Sequence, residues 1–565
     1  MRCEAVDARS DLFSLGVVLH ELLCGGRPFQ KDTAVQTLSA ILGDPAPGLP
    51  PALAAPPGLA RVLARCLEKD PGQRFQSAKD LVFALEGLAV VSSGPVPVIQ
   101  EERSIVVLPF ENLSPDPDNA YFADGLTEEI IADLSKVTAF RVISRTSAMH
   151  FKGTTKPLPE IAQMVKVRFV LEGSVRRAGN SLRITAQLIE AATDTHLWAE
   201  KYNGSFGDVF DIQEKVSRAI VDALKVQLTP AESRKLVAHP TQNAEAYDCY
   251  LRARAQVLRF EPQPVDQAIG LLEEGLRRFP GDPMLMALKA YAHHTRVNIG
   301  AGPREELVEA EFLAREALAR YPDQPLCYTV LGLVAFMKPD HVVEAIRYMQ
   351  KAVEVGPNDQ DALFWLSATY FVIDPGPSAE LSARLISLNP LDCWSYMGRW
   401  FSLCASGRFT ECLAVADQMV ALAPIEANHL VRAWSLKYLG WTEELGVLAD
   451  WAKGAGDSFY LRVIRLCWAA NQGLREEAET LLTPELLEAS RRDFQYSMGI
   501  AETYAQLGEV DPALDWLENA IRMGYLNHAF FAGKNPLLAP LRRHPRFQAL
   551  VGRAREQAKA FEATP

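Results

Sequence analysis

Long apolar runs are missing from this chain. No stretch of 18 apolar residues occurs in its 565 residues, so nothing in the pattern reads as a membrane-spanning helix. Cysteine is sparse: nine are scattered, an odd number, with no C-x-x-C spacing. That speaks against a disulfide framework or a zinc site and points to a reducing cytoplasm. Positive charge is in deficit, with 58 Lys and Arg against 70 Asp and Glu and a formal net charge of −12. Nucleic acid and anionic membranes call for clustered basic residues, so neither is expected as a partner. The opening MRCEAVDARSD has no apolar stretch of a secretion signal. No H-E-x-x-H, no Ser–His–Asp order and no paired catalytic carboxylates stand out. No cofactor, metal or catalytic site is expected.

What is present is a returning proline. Pro280, Pro322, Pro357, Pro390 and Pro424 follow at intervals of 42, 35, 33 and 34 residues, each closing an amphipathic stretch such as AREALARYP or MQKAVEVGP. A period near 34 is that of stacked helical hairpins, and proline ends a helix because it cannot donate to the preceding turn. Small residues recur in the second helix of each unit: Ala268, Ala310, Ala345, Ala478 and Ala513, with Cys412 in the same role. Seven positions on come Gly275, Ala317, Ala352 and Ala520. First helices carry Leu331–Gly332, Leu366–Ser367–Tyr370 and Met397–Gly398–Phe401.

These spacings resemble tetratricopeptide repeats. The resemblance implies a solenoid over 243–530, about seven or eight hairpins, degenerate around 425–490 where no terminal proline is found. It also implies a groove lined by first helices that holds a protein or peptide partner. Arg399 and Lys437, beside packing positions rather than in them, are the candidate groove residues. The many aromatics are expected in the core, and His293–His294 on a helix surface rather than at a metal. The tail 531–565 reads as a segment capping the open end of the solenoid.

Residues 1–88 read as helices and loops. LFSLGVVLHELL, Leu12 to Leu23, is apolar nearly all round, the pattern of a helix buried on every side. DARSDLFSLGVVLHELLCGGRPF followed by RCLEKDPGQRFQSAKDLVFAL resembles the last third of a bacterial serine/threonine protein kinase domain. By that resemblance Asp11 braces a catalytic loop, and Arg74 pairs with the Glu of an A-P-E motif. No H-R-D precedes Asp11, no D-F-G occurs and the A-P-E Glu is gone, while phosphoryl transfer needs all of the phosphate-cradling, base and metal-binding groups. The expectation is a truncated, catalytically incomplete C-lobe fragment: either the gene has lost its first half or translation begins upstream of Met1, and the kept kinase-like pattern favours the second. A longer form would be a serine/threonine kinase. Uncovered helices should leave apolar side chains in water, at about 1.5–3 kcal/mol each.

Residues 89–103, AVVSSGPVPVIQEER, read as a linker. From 104 to 229 strand and helix signals alternate. SIVVLPF and FRVISR read as strands, a helix begins near Thr127, a hairpin turns at Ala178–Asn180, and a last helix runs from about Val209 to Leu228. VLPFENLS, YFADGLTEEI, RVISRTSAM, FVLEGSVRR and LWAEKY resemble the N-terminal TolB-like domain. That implies an interaction or ligand-sensing α/β module without an agreed catalytic site. Asp124, Glu128 and Glu129 are expected to favour the positive end of a helix dipole, and His196 to be a satisfied structural histidine.

The expected fold is thus multidomain and mainly α: a helical solenoid, an α/β module and an all-α kinase fragment. The expected function is a cytoplasmic bacterial signalling scaffold that binds proteins. The alternative is the C-terminal part of an active kinase. A DNA-binding regulator would need a basic or winged-helix module, and none is visible.

Overall fold

A computed structural model of the chain describes residues 8–31, 33–44, 59–75, 77, 81, 103–114, 119–237, 241 and 243–562. The expected linker lies outside the described residues, apart from Arg103. Two compact units emerge, 1–101 and 102–565.

In the first unit, helices Ala8–Cys24 and Leu59–Cys66 pack together, with Ala34–Gly43 alongside. Gly16 is required at their crossing: a Cβ there would lie 2.7 Å from that of Cys66. Leu12, Val62, Cys66, Phe75 and Leu81 form one small core, and Phe29, Ala40 and Leu67 another. The helix whose pattern is that of one buried on every side is uncovered along one face, as expected of a fragment. Leu15, Val18 and Leu22 are 43%, 51% and 76% exposed, because the described elements of this unit cover only the opposite face. Asp11 is exposed in the first turn of its helix. Arg74 donates to three carbonyls, those of Glu68 (2.7 Å), Arg9 (3.2 Å) and Lys69 (3.3 Å), and lies over the Phe13 ring.

The second unit begins with an α/β module. Its strands are β1 (Arg103–Val107), β2 (Glu111–Asn112), β3 (Phe140–Val142), β4 (Phe169–Ala178), β5 (Ser181–Glu190) and β6 (Thr195–Ser205). The order is β3-β1-β4-β5-β6, with β2 also on β4. β1 runs parallel to β3 and β4, joined through helices, whereas β4, β5 and β6 form an antiparallel meander. Ile105, Val106 and Val107 are wholly buried, as a central parallel strand covered on both faces demands. The β4–β5 turn places Gly179 at φ +58°, a conformation glycine adopts without strain. His196 is exposed on the edge strand β6.

The helix after β2 starts earlier than the sequence suggested, at Ala120, and runs to Ser135. Thr127 is therefore in mid-helix, donating to the Ala123 carbonyl and accepting from the Phe110 N–H. Asp124, Glu128 and Glu129 consequently do not serve as caps.

Eight hairpins follow among the described residues. They pair Ala244–Val257 with Pro262–Arg278, Pro283–Asn298 with Glu306–Arg320, and Pro325–Phe336 with Val342–Val355. Gln360–Tyr370 pairs with Pro375–Leu388, Met397–Ala405 with Phe409–Leu422, and Glu426–Leu439 with Thr442–Ala455. Phe459–Asn471 pairs with a second helix broken by Pro484 into Arg475–Leu481 and Pro484–Arg491, and Phe494–Gln506 with Val510–Arg522. In the irregular stretch the second helix Thr442–Ala455 stops at Gly456, φ +137°, where earlier hairpins carry a proline. Ala268, Ala310, Ala345 and Ala513 are all fully buried. At Gly398 a Cβ would come within 2.6 Å of the Ser367 hydroxyl oxygen, which shows how closely successive first helices cross.

The array winds back on itself. Phe336 of the third hairpin meets Phe494 of the eighth edge-on, 5.6 Å between centroids, and the Asp340 N–H donates to the Arg522 carbonyl at 3.0 Å. The α/β module is gripped twice. On the first hairpin, Leu251 packs against Gly125 and the Tyr247 hydroxyl accepts from Gln213 at 2.8 Å. At the fourth, the hydroxyls of Ser144 and Ser147 both donate to Asn389 Oδ1, and the Ser144 N–H donates to the Leu388 carbonyl at 2.8 Å.

The chain beyond Met523 departs from the expected cap. Helix Pro545–Glu562 does lie against the last second helix, with Arg546 paired to Asp515 and Glu518. The preceding residues, 524–541, instead turn inward. A boundary at 530/531 would cut through a single turn of π-helix, Phe530–Lys534.

Candidate functional site

Two places concentrate chemistry in the second unit. The first is the inner face formed by the first helices of hairpins four to eight. Aromatic side chains project there because first helices turn one apolar stripe to their neighbours and another inward. Phe371 stacks on Phe401 at 4.3 Å, and Trp400 donates its Nε1–H to Ser435 at 2.8 Å. This face is occupied by residues 524–541. Tyr525 packs edge-on against Phe371 and Phe494, at 5.7 and 5.5 Å. Phe530 meets Tyr438 at 6.2 Å. Tyr525, Leu526, Phe530, Phe531, Leu538 and Leu541 are buried.

Lys437 sits at the centre of this face, but its burial does not fit the expectation of a groove residue open to a partner. Its Nζ lies 2.5 Å from Glu502 Oε2, and both side chains are 1% exposed. Burial acts to lower the lysine pKa, but the Glu502 carboxylate outweighs it and leaves the ammonium above its ordinary value. Glu502 Oε1 accepts from the Tyr438 hydroxyl at 2.8 Å and from Asn535 Nδ2 at 2.6 Å. A charge this deep is retained only when paired and hydrogen-bonded. Glu502 is 65 residues away from Lys437 in sequence, so no local pattern announced the pair. Arg399, the other candidate, is exposed, and the two are not brought together into one site.

The second place is a cavity of about 400 Å³ where the helix Ala120–Ser135 faces the first, third and fourth hairpins. Ile131, Leu258, Tyr321 and Val355 give it apolar walls. Glu128 accepts ion pairs from both Arg145 and Arg254. Burial raises Asp359 and Asp361 above the usual carboxylate range. Glu129, on the same helix, is pushed up to about 8 by burial and by the nearby Asp133 and Glu128. Pockets of this size with convergent polar groups commonly hold small molecules.

The histidine pair is also not where the sequence put it. His293 and His294 are buried rather than on a surface. His293 Nδ1 lies 2.9 Å from Glu306, and burial lowers His294 to about 4. Among the described residues no cluster of His, Cys, Asp and Glu could hold a metal ion, and no helix is long and apolar enough to cross a membrane.

Comparison with known proteins divides along the chain. Residues 101–239 match the second domain of the HilA/YgeH-like transcriptional regulators. A Rhizobium meliloti protein provisionally named adenylate cyclase 3 is 39% identical over 249 residues, which cover 43% of this chain and 42% of that protein. The serine/threonine-protein kinase PknA of Corynebacterium glutamicum is 33% identical over 92 residues, 16% of this chain and 19% of the kinase. The kinase PknD of Mycobacterium tuberculosis is 39% identical over 84 residues, 14% of this chain and 12% of that protein. The chain thus spans less than half the length of each of these relatives. Of solved structures, the human IFIT1 dimer with PPP-AAAA aligns over 74% of this chain and 98% of its own, at 12% identity and a TM-score of 0.36. The Neisseria meningitidis lipoprotein GNA1162 aligns over 22% of this chain and 99% of its own, at 20% identity and a TM-score of 0.18.

Proposed function

We propose that this chain is the docking part of a bacterial signalling protein: its hairpin array recruits a protein partner, and its TolB-like α/β module senses or relays. The observation that carries this reading is the array itself, eight stacked hairpins with the module gripped at the first and fourth. Stacked hairpins present extended surfaces suited to holding other proteins. Arg399 remains a contact residue on this reading, being exposed. The kinase-like fragment, lacking the phosphate-cradling loop, base and metal-binding Asp, transfers no phosphate by itself. The test is photo-crosslinking in bacterial cells from a reactive residue placed at 399 and, as a control, at 201 on the exposed β6. One protein recovered reproducibly at 399 and not at 201 supports docking; equal or absent crosslinking defeats it.

A second reading is favoured by the exposed Leu15, Val18 and Leu22. On it, the fragment is the end of a complete kinase large lobe, and the full protein is an active serine/threonine kinase. Reading the DNA in frame upstream of Met1, then assaying the extended protein for autophosphorylation, decides it.

A further inference from the structure

The geometry points to the inner face of hairpins four to eight as a segment-recognition groove whose resident occupant is the chain's own residues 524–541. We propose that this occupant is exchangeable for a partner segment of the same chemistry, an aromatic pair followed a few residues on by asparagine. The inference rests on the reading of the array as a protein-binding element.

Five observations carry it. The occupant is joined to the array through Gly524 at φ +107°, just after the second helix of the last hairpin, where glycine allows the chain to reverse. It is held as an irregular segment, with only one turn of π-helix and the short 3-10 turn Ala539–Leu541. Part of its grip is main-chain recognition of a helix end. The Leu526 N–H donates to the Val372 carbonyl at 2.8 Å, and Asn527 Nδ2 donates to the Phe371 carbonyl at 3.2 Å. Carbonyls at a helix C-terminus lack intrahelical partners, so an incoming strand satisfies them without any change in the helix.

The side chains are read separately. Phe530 and Phe531 fill the aromatic face, and Asn535 is read by Glu502, which Lys437 and Tyr438 hold in place. A buried ion pair that holds one carboxylate acceptor in place for a single amide donor specifies register. Finally, the fit is incomplete. A void of about 30 Å³ remains beside Tyr525, lined by Trp400, Trp434, Met498 and Glu502. Interiors that have settled on one packing leave few such gaps, and a competing segment with a larger side chain at this point would fill it.

Two measurements on the full chain test the proposal. Hydrogen exchange reports whether the occupant opens by itself. The amides of Leu526, Phe530 and Asn535 should exchange faster than those of the helix Phe494–Gln506 under native conditions. Exchange of both at one common rate would mean that the segment is inseparable from the core, and the proposal fails. Next, a fluorescent synthetic peptide of residues 524–544 is titrated by anisotropy into the natural chain and into the variant Phe530→Ala with Asn535→Ala. Weakening the resident segment raises the fraction of open groove, so the variant should bind at least about tenfold tighter. A peptide carrying the same two substitutions should not bind. Equal affinity for both chains, or no binding to a folded variant, overturns it. If the variant does not fold, the exchange rates of the natural chain decide. Loss of the crosslink at 399 with these results intact would defeat the docking reading alone.

Discussion

Lys437 and Glu502 form an ion pair 2.5 Å long, sealed inside the array by the segment that follows the last hairpin. Replacing Lys437 by Ala leaves the Glu502 carboxylate buried without its cation. The expected loss is about 3–5 kcal/mol in denaturant unfolding. The double change Lys437→Met with Glu502→Gln keeps an acceptor for Tyr438 and Asn535 and should cost less than Lys437→Ala. Arg399→Glu, on an exposed position, should stay within about 0.5 kcal/mol. Equal losses at 399 and 437 would contradict the burial described.

Ala345 is fully buried, and the third hairpin crosses closely there: a Cβ on Gly332 would lie 3.1 Å from the Ala345 carbonyl. Ala345→Glu forces both volume and an unpaired charge between two helices. The third hairpin should lose protection, seen as accelerated exchange of Pro325–Phe336. Ala345→Gly should be mild, at about 1 kcal/mol.

Glu129 gives a pH signature. Its folded pKa is raised from 4.5 to about 8. The unfolded chain ionises this group from pH 4.5 upward, whereas the folded chain keeps it protonated until about 8. The folded state therefore binds the extra proton in that window, and stability falls as pH rises through it. Glu129→Gln should flatten the slope, raising stability at pH 8.5 by about 1–3 kcal/mol and changing little at pH 4.5. His294 acts with the opposite sign. Its neutral form is favoured in the fold, so stability falls as pH drops from 6.5 toward 4. Thermal midpoints of the Glu129 variant and its parent across this range isolate the carboxyl.

Removing residues 1–101 takes away the exposed Leu15, Val18 and Leu22. The remainder should stay folded with its thermal midpoint unchanged, and its self-association in light scattering should drop, because exposed apolar patches promote association. A lowered midpoint would show that the first unit supports the second.

The periodic part of the fold was legible because helical stacking is a local rule. Pro280 to Pro424 and the small residues at Ala268, Ala310 and Ala345 mark where helices stop and cross. Lys437 was misread for the opposite reason. Its burial depends on Glu502 and on Asn535, brought in by the superhelix and the returning segment. His293 and His294 failed in the same way, since a helix packed on nearly every side has no surface for them. Thr127 looked like a helix start because hydroxyl caps and mid-helix hydroxyls share one residue type; its bond to the Ala123 carbonyl is the mid-helix kind. The cavity beside Glu128 had no sequence signal, as its walls come from elements far apart in the chain.

The bond from Ser144 to Asn389 spans 245 residues, and that separation sets a timetable for synthesis. The α/β module leaves the ribosome long before its second dock exists. At translation rates of about 5–20 residues per second, the Ser144 surface waits roughly 12–50 s for Asn389 to emerge. During that interval the module must be stable on the first hairpin alone or be shielded by a chaperone. A nascent chain arrested before the fourth hairpin should therefore be cleaved faster within its α/β module than the finished chain.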